Sequence, residues 1–164
     1  QLEFYEKSEG ISLTLEGKAN YLSNLISSNL TLAMQGLIVV PILAGYDTEG
    51  ETGRIFKYDV AGGRYEEIDY YAIGSGGKDA QVSLKKLYRP NMDFDRTFEV
   101  VLEALWDAAD EDLGTGGPDF LREIYPQVKI INEKGIEDIP DSDIKEFYEK
   151  LIERLREERY IRSE

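Results

Sequence analysis

The feature that most restricts the fold of this chain is an uninterrupted apolar run, Leu37-Ile38-Val39-Val40-Pro41-Ile42-Leu43-Ala44-Gly45-Tyr46. A continuous apolar run of this kind suits a strand covered on both faces, so it predicts a central strand. At about ten residues, with Pro41 inside it, the run falls far short of the roughly 20 needed to cross a bilayer. The rest of the chain must therefore supply the neighbours and the covering layers.

Ahead of the run, Leu2, Phe4, Tyr5 and Lys7 before Gly10 predict the last turns of a helix closed by glycine. Leu22, Leu25, Ile26, Leu30, Ala33 and Met34 recur at helical spacing, which predicts one helix from about Leu15 to Gln35, ended by Gly36. Beyond the run, Ile55 to Val60 and Tyr65 to Tyr71 alternate around Ala61-Gly62-Gly63 and predict a β-hairpin. A helix from about Asp79 to Tyr88 is stopped by Pro90. Another runs from about Phe94 to Ala109, with Asp93 or Asp95 as its cap and Phe98, Val101, Leu102, Leu105 and Trp106 on its apolar face. Val128 to Asn132 and Gly135 to Ile139 pair as a second hairpin, and Ile144 to Arg159 forms a charged helix with Leu151, Ile152 and Leu155 on its buried side. Helices in pairs on sheet faces make an α+β protein, and 164 residues fit one domain spanning 1–164.

Composition removes whole classes of chemistry. The chain has no Cys and no His, so disulfides, thiolate nucleophiles, Ser-His-Asp arrangements and imidazole-bound metals are excluded within it. A hydrolytic centre here would have to pass its proton to an amine, a carboxylate or water. Acidic residues outnumber basic ones by 33 to 19, a field that repels phosphate backbones and anionic leaflets, so no nucleic acid and no membrane are expected as partners. The opening Gln-Leu-Glu-Phe-Tyr-Glu-Lys lacks the basic start and apolar middle of a signal peptide, so the expected location is cytoplasmic, and the missing initiator Met suggests a fragment or processed product.

Two short segments carry polar groups among glycines. Gly74-Ser75-Gly76 follows a strand and by itself reads as a polar turn. Asp112-Leu113-Gly114-Thr115-Gly116-Gly117 closes the fourth helix and by itself reads as a glycine-capped, solvated C-terminus, with Asp107, Asp110 and Glu111 beside it. That acidic cluster lacks the ligand order and distal Glu of a calcium loop, so no metal is assigned. The glycines lack the following Lys-Ser or Lys-Thr of a phosphate cradle, and no cofactor is assigned.

Taken together and in order, several segments between Phe4 and about Pro140 resemble the β subunits of the bacterial, actinobacterial-type 20S proteasome, in the N-terminal-nucleophile hydrolase superfamily. They are Tyr5-Glu6-Lys7 to Gly10 with Leu13-Thr14 and Gly17-Lys18, Ala33-Met34-Gln35-Gly36-Leu37, Leu43-Ala44-Gly45-Tyr46-Asp47, Asp59-Val60-Ala61-Gly62-Gly63, Ala72-Ile73-Gly74-Ser75-Gly76, Leu84-Lys85-Lys86-Leu87-Tyr88, and Ala104 through Asp119. The resemblance implies a four-layer αββα sandwich, stacked seven-membered rings, and threonine-type endopeptidase activity inside a closed chamber. It implies as partners other β subunits, α-ring subunits, a ring ATPase regulator and unfolded protein substrates.

In that family the nucleophile is an N-terminal Thr whose own α-amine helps take the proton, an amine of ordinary pKa near 8. The Thr, and the Asp and Lys that activate it, precede the first helix. The resemblance therefore implies that the first strands and the nucleophilic Thr are absent from this chain, where Gln1 offers no hydroxyl or thiol, and that the chain alone is catalytically silent. It also implies supporting catalytic roles for three residues. Ser75 corresponds to a serine near the nucleophile's amine, serving hydrogen bonding and proton traffic. Asp112 and Thr115 match a pattern of Asp, two residues, Ser or Thr, then Gly-Gly, where the carboxylate favours a nearby ammonium and the hydroxyl orients it. The alternative is a non-catalytic, α-type ring subunit of the same barrel, which would have no site for these two segments to support.

Overall fold

The computed structural model describes residues 2–161, so Gln1 lies outside the described residues. Helices and antiparallel strands alternate along the chain, an α+β content as expected: α1 (Leu2–Glu9), α2 (Leu15–Ser28), α3 (Leu30–Met34), β1 (Ile42–Asp47), β2 (Thr52–Tyr58), β3 (Arg64–Glu67), α4 (Gly77–Leu87), α5 (Phe94–Glu111), β4 (Lys129–Asn132), β5 (Gly135–Asp138) and α6 (Asp141–Ile161). The chain divides into two compact units, one holding the residues up to Tyr71 with 131–136, the other Ala72–Ile130 with the chain from Glu137 onward. None of the described helices is long and apolar enough to cross a membrane.

In the first unit α2 lies on a three-stranded antiparallel sheet of order β1-β2-β3, with Leu43 opposite Phe56 and Lys57 opposite Tyr65. The Thr14 hydroxyl caps α2 by accepting from Gly17 N at 3.1 Å. Ala19, Phe56 and Tyr58 form the buried centre, with Leu15, Leu22, Ile26 and Leu43 packed around them. The Tyr58 hydroxyl donates to the Ala19 carbonyl at 2.9 Å, which satisfies the one polar atom that this tyrosine brings into the core. The β2–β3 turn is fixed twice: the Asp59 carboxylate accepts from Ala61 N and Gly63 N at 2.9 and 2.8 Å, and Ser23 and Ser27 of α2 donate to the Gly62 and Ala61 carbonyls.

Two sequence expectations fail here. The apolar run does not make a central strand: β1 starts only at Ile42, pairs with β2 alone among the described strands, and so lies at a sheet edge. Pro41 has no N–H to give a ladder, which stops the strand on its N-terminal side. Leu37 to Val40 stay outside the sheet at 40 to 68% exposure. The expected long helix is broken at Asn29, whose side-chain amide donates to the Leu25 carbonyl at 2.8 Å while the backbone leaves helical geometry at φ −104° and ψ 14°. Met34, expected on the packed face, is 83% exposed.

In the second unit α5 and α6 enclose a core of Leu102, Ile144, Tyr148 and Leu151, with Phe98, Trp106 and Phe147 packed against it. Tyr148 stacks obliquely on Trp106 at 5.8 Å between ring centres, its hydroxyl reaches the Leu102 carbonyl at 3.3 Å, and burial pushes that hydroxyl's pKa well up. The Asp93 carboxylate caps α5 through Arg96 N at 2.9 Å. The buried side of α5 is carried by Val100, Leu102, Ala104 and Ala108, whereas Val101 and Leu105 of the expected apolar face are exposed. The strands β4 and β5 form a separate two-stranded hairpin, tied by an ion pair between Lys129 and Asp138.

Candidate functional site

Ser75, Asp112 and Thr115 come together in the second unit, although Ser75 and Asp112 are 37 positions apart. Ser75 stands just ahead of α4 on a turn that Gly74 makes possible, since its φ of 103° lies in the region that side chains disfavour, and Gly77 N closes the turn on the Gly74 carbonyl at 3.1 Å. Asp112 is the residue that ends α5, its N–H bonded to the Ala108 carbonyl and its backbone already extended. Gly114, Gly116 and Gly117 do not adopt the left-handed conformation of a glycine cap. The segment instead folds back so that Thr115 N meets the Asp112 carbonyl at 3.0 Å.

The consequence is a single carboxylate oxygen with two hydroxyl donors. Ser75 Oγ donates to Asp112 Oδ2 at 2.5 Å and Thr115 Oγ1 donates to the same oxygen at 2.6 Å. These distances are those of strong hydrogen bonds to an ionised acceptor. A carboxylate at a helix C-terminus is opposed by the helix dipole, yet the Ser75 and Thr115 hydroxyls, with the backbone N–H groups of Gly114 and Thr115, hold the Asp112 carboxyl below the usual range. The fit is close: a Cβ on Gly76 would land on Thr115 Oγ1 and lie 3.3 Å from the Cβ atoms of Ala108 and Asp112. Ser75 is exposed while Asp112 and Thr115 are half-buried, so the group is open to a third partner.

The neighbouring acids go elsewhere. Asp107 accepts a hydrogen bond from the buried Ser83 of α4 at 2.6 Å, and Asp110 and Glu111 are exposed. No group of three or more carboxylates is placed to hold a metal ion among the described residues. The link between Ser83 and Asp107 was not visible in the sequence, because a serine inside a helix between Val82 and Leu84 carries no local signal of its partner.

The sequence matches a family of known proteins. The sequence model described as Proteasome subunit matches residues 1–119, a span that includes all three members of the cluster. The chain belongs to the proteasome subunit family. Similar proteins include the "Proteasome subunit beta" of Acidimicrobium ferrooxidans, 53% identical over 157 residues, which cover 96% of this chain and 58% of that protein. Those of Streptomyces griseus and Jonesia denitrificans are each 50% identical, over 96% and 88% of this chain and 56% and 48% of their own lengths. The chain thus spans about half the length of these actinobacterial proteasome β subunits. The resemblance drawn from the sequence segments and these similarities agree on the family.

Proposed function

We propose that the chain is part of a catalytic β-type subunit of a 20S proteasome core, a threonine-type endopeptidase, in which Ser75, Asp112 and Thr115 support the nucleophile rather than act as one. The observation that carries this reading is the Asp112 oxygen that accepts from both hydroxyls at 2.5 and 2.6 Å. Its charge is solvated by neutral donors and takes part in no ion pair among the described residues, so it can still stabilise an ammonium brought beside it. In a complete subunit that ammonium is the α-amine of an N-terminal threonine, protonated as it takes the hydroxyl proton during attack on the peptide carbonyl. Asp112 favours the charged amine, Thr115 orients it, and the exposed Ser75 passes the proton onward. The nucleophile belongs to the length of a β subunit that this chain does not span.

The same reading places residues 1–164 within one four-layer αββα domain, in rings with other β subunits beside α-ring subunits. A ring ATPase feeds unfolded proteins to the chamber in the cytoplasm. The relatives named above are β subunits, which favours this over a non-catalytic α-type ring subunit.

Two measurements test it. Purified chain should not turn over a fluorogenic peptide, and turnover that a threonine-directed inhibitor abolishes would show that an internal residue attacks. In a full-length subunit carrying this sequence, Asp112→Ala should cost about 10- to 1,000-fold in turnover, or block propeptide removal, with the fold intact, as for a group that stabilises charge. Parent-like processing and turnover would overturn the assignment.

A further inference from the structure

The two halves of the cluster flank different helices, Ser75 just ahead of α4 and Asp112 capping the end of α5, so their 2.5 Å contact is only as well defined as the register of one helix against the other. Moving along α4 from Ser75 to Ser83 is matched by moving back along α5 from Asp112 to Asp107, where a second polar contact occurs. At about 1.5 Å per residue the two contacts stand roughly 7 to 12 Å apart along the helices. Small residues occupy this stretch: Gly76 has no room for a Cβ, and Ala80, Ala104 and Ala108 are buried. A seam of glycine and alanine lets helices approach closely but offers few large side chains to interlock and resist sliding. A directional hydrogen bond does resist it.

Ser83 is built for that task. It is 3% exposed, and its hydroxyl donates to Asp107 Oδ2 at 2.6 Å. A buried hydroxyl on an ionised acceptor is a strong contact and costly to leave unmade. We infer that Ser83 and Asp107 are a positioning pair, fixing the register of α4 on α5 and thereby holding Ser75 Oγ on the Asp112 carboxylate. The pair shares no hydrogen bond with the cluster and acts through the helices. The inference deepens the proposed site and borrows its catalytic meaning from that reading, but it concerns geometry within this chain.

The test is the titration of the Asp112 side-chain carboxyl by carbon-13 NMR in the 164-residue chain, in variants whose helix content and cooperative melting are retained. Ser83→Ala and Asp107→Ala should each raise the Asp112 pKa by about 0.5 unit or more, as the Ser75 donor is lost for part of the time. Asp107→Asn keeps a carbonyl oxygen for Ser83 while removing a charge, so it should leave the Asp112 titration at or slightly below its parent value. The sign separates this from simple charge: removing a nearby carboxylate, whether Asp107 or its neighbours Asp79, Asp110 and Glu111, would lower the Asp112 pKa rather than raise it. Variants that melt earlier but titrate like the parent would show a purely structural contact and overturn the inference, as would an Asp107→Asn shift equal to that of Asp107→Ala. Peptidase assays of full-length Asp112→Ala judge the proposed function separately, so either idea can fail alone.

Discussion

Two carboxylate centres, one in each unit, are held in opposite ways. In the first, Arg54 on β2 grips Glu66 of β3 with two hydrogen bonds of 2.7 Å and also reaches Asp47 of β1 at 3.2 Å and Glu16 of α2 at 2.9 Å. Arg64 of β3 joins at Glu16, and both guanidinium groups lie over the Phe56 ring, at 4.8 and 5.0 Å from its centre. In the second, Asp112 is held by hydroxyls and N–H groups and by no cation among the described residues. Two guanidinium groups paired with three carboxylates tie a helix to three strands. A charge that is solvated but not cancelled keeps its field, which is the property an ammonium-stabilising group requires.

If that contrast is right, breaking each centre should damage a different quantity. Arg54→Ala strips three carboxylates of a partner and uncovers one face of Phe56, so the melting temperature of the chain should fall by about 3 to 8 °C. Asp112→Asn keeps an acceptor for the two hydroxyls at a half-exposed site and should stay within about 2 °C of the parent. Calorimetry or thermal circular dichroism decides it. Equal losses would mean that the Asp112 cluster is a structural clamp like the other.

Acid sharpens the same comparison. Arg64 first and Arg54 after it hold the Glu16 carboxyl below its ordinary value, and Arg54 does so for Glu66; for Asp47 the Gly50 N–H leads, with Glu49 N–H and Arg54 following. Carboxyls with depressed folded values contribute stability that is present above their unfolded values of about 4 and lost as the pH falls through the folded ones. Urea midpoints of the parent should therefore drop steeply below about pH 4, while those of Arg54→Ala start lower at pH 7 and fall less, the gap closing in acid. A gap that stayed constant from pH 7 to pH 2.5 would remove the electrostatic account of this centre.

How far the sequence reveals these arrangements depends on how local their causes are. Helix ends were legible where one residue decides them: Gly10 and Gly36 both adopt positive φ, and Asp93 caps α5. The run from Leu37 to Tyr46 was misread because its apolarity reports what covers a strand only if the neighbours are there, and β1 has a paired strand on one side alone among the described residues. Ser75, Asp112 and Thr115 were marked as a group only through the resemblance of whole segments, since serine in Gly74-Ser75-Gly76 says nothing of an aspartate 37 positions on. The Arg54 centre and the Ser83 to Asp107 contact were missed for the same reason, each being a meeting of residues from separate elements.

The finest probe of the Asp112 cluster is a single methyl group. Gly76 has an ordinary φ of −83°, so alanine is tolerated by the backbone there and any effect of Gly76→Ala is one of space. Its Cβ would fall on the Thr115 hydroxyl, so the substitution should remove that donor. Because Ser75 is the larger of the two hydroxyl influences that lower the Asp112 carboxyl, the loss of the Thr115 hydroxyl should leave it still depressed, raised by less than in Ser75→Ala. The Arg54 centre, built in the other unit, should be untouched, which unchanged amide hydrogen exchange in β1, β2 and β3 would confirm. A shift as large as that of Ser75→Ala would mean that the methyl moves α4 as a whole, and no shift at all would mean that the Thr115 hydroxyl does not hold the carboxylate in solution.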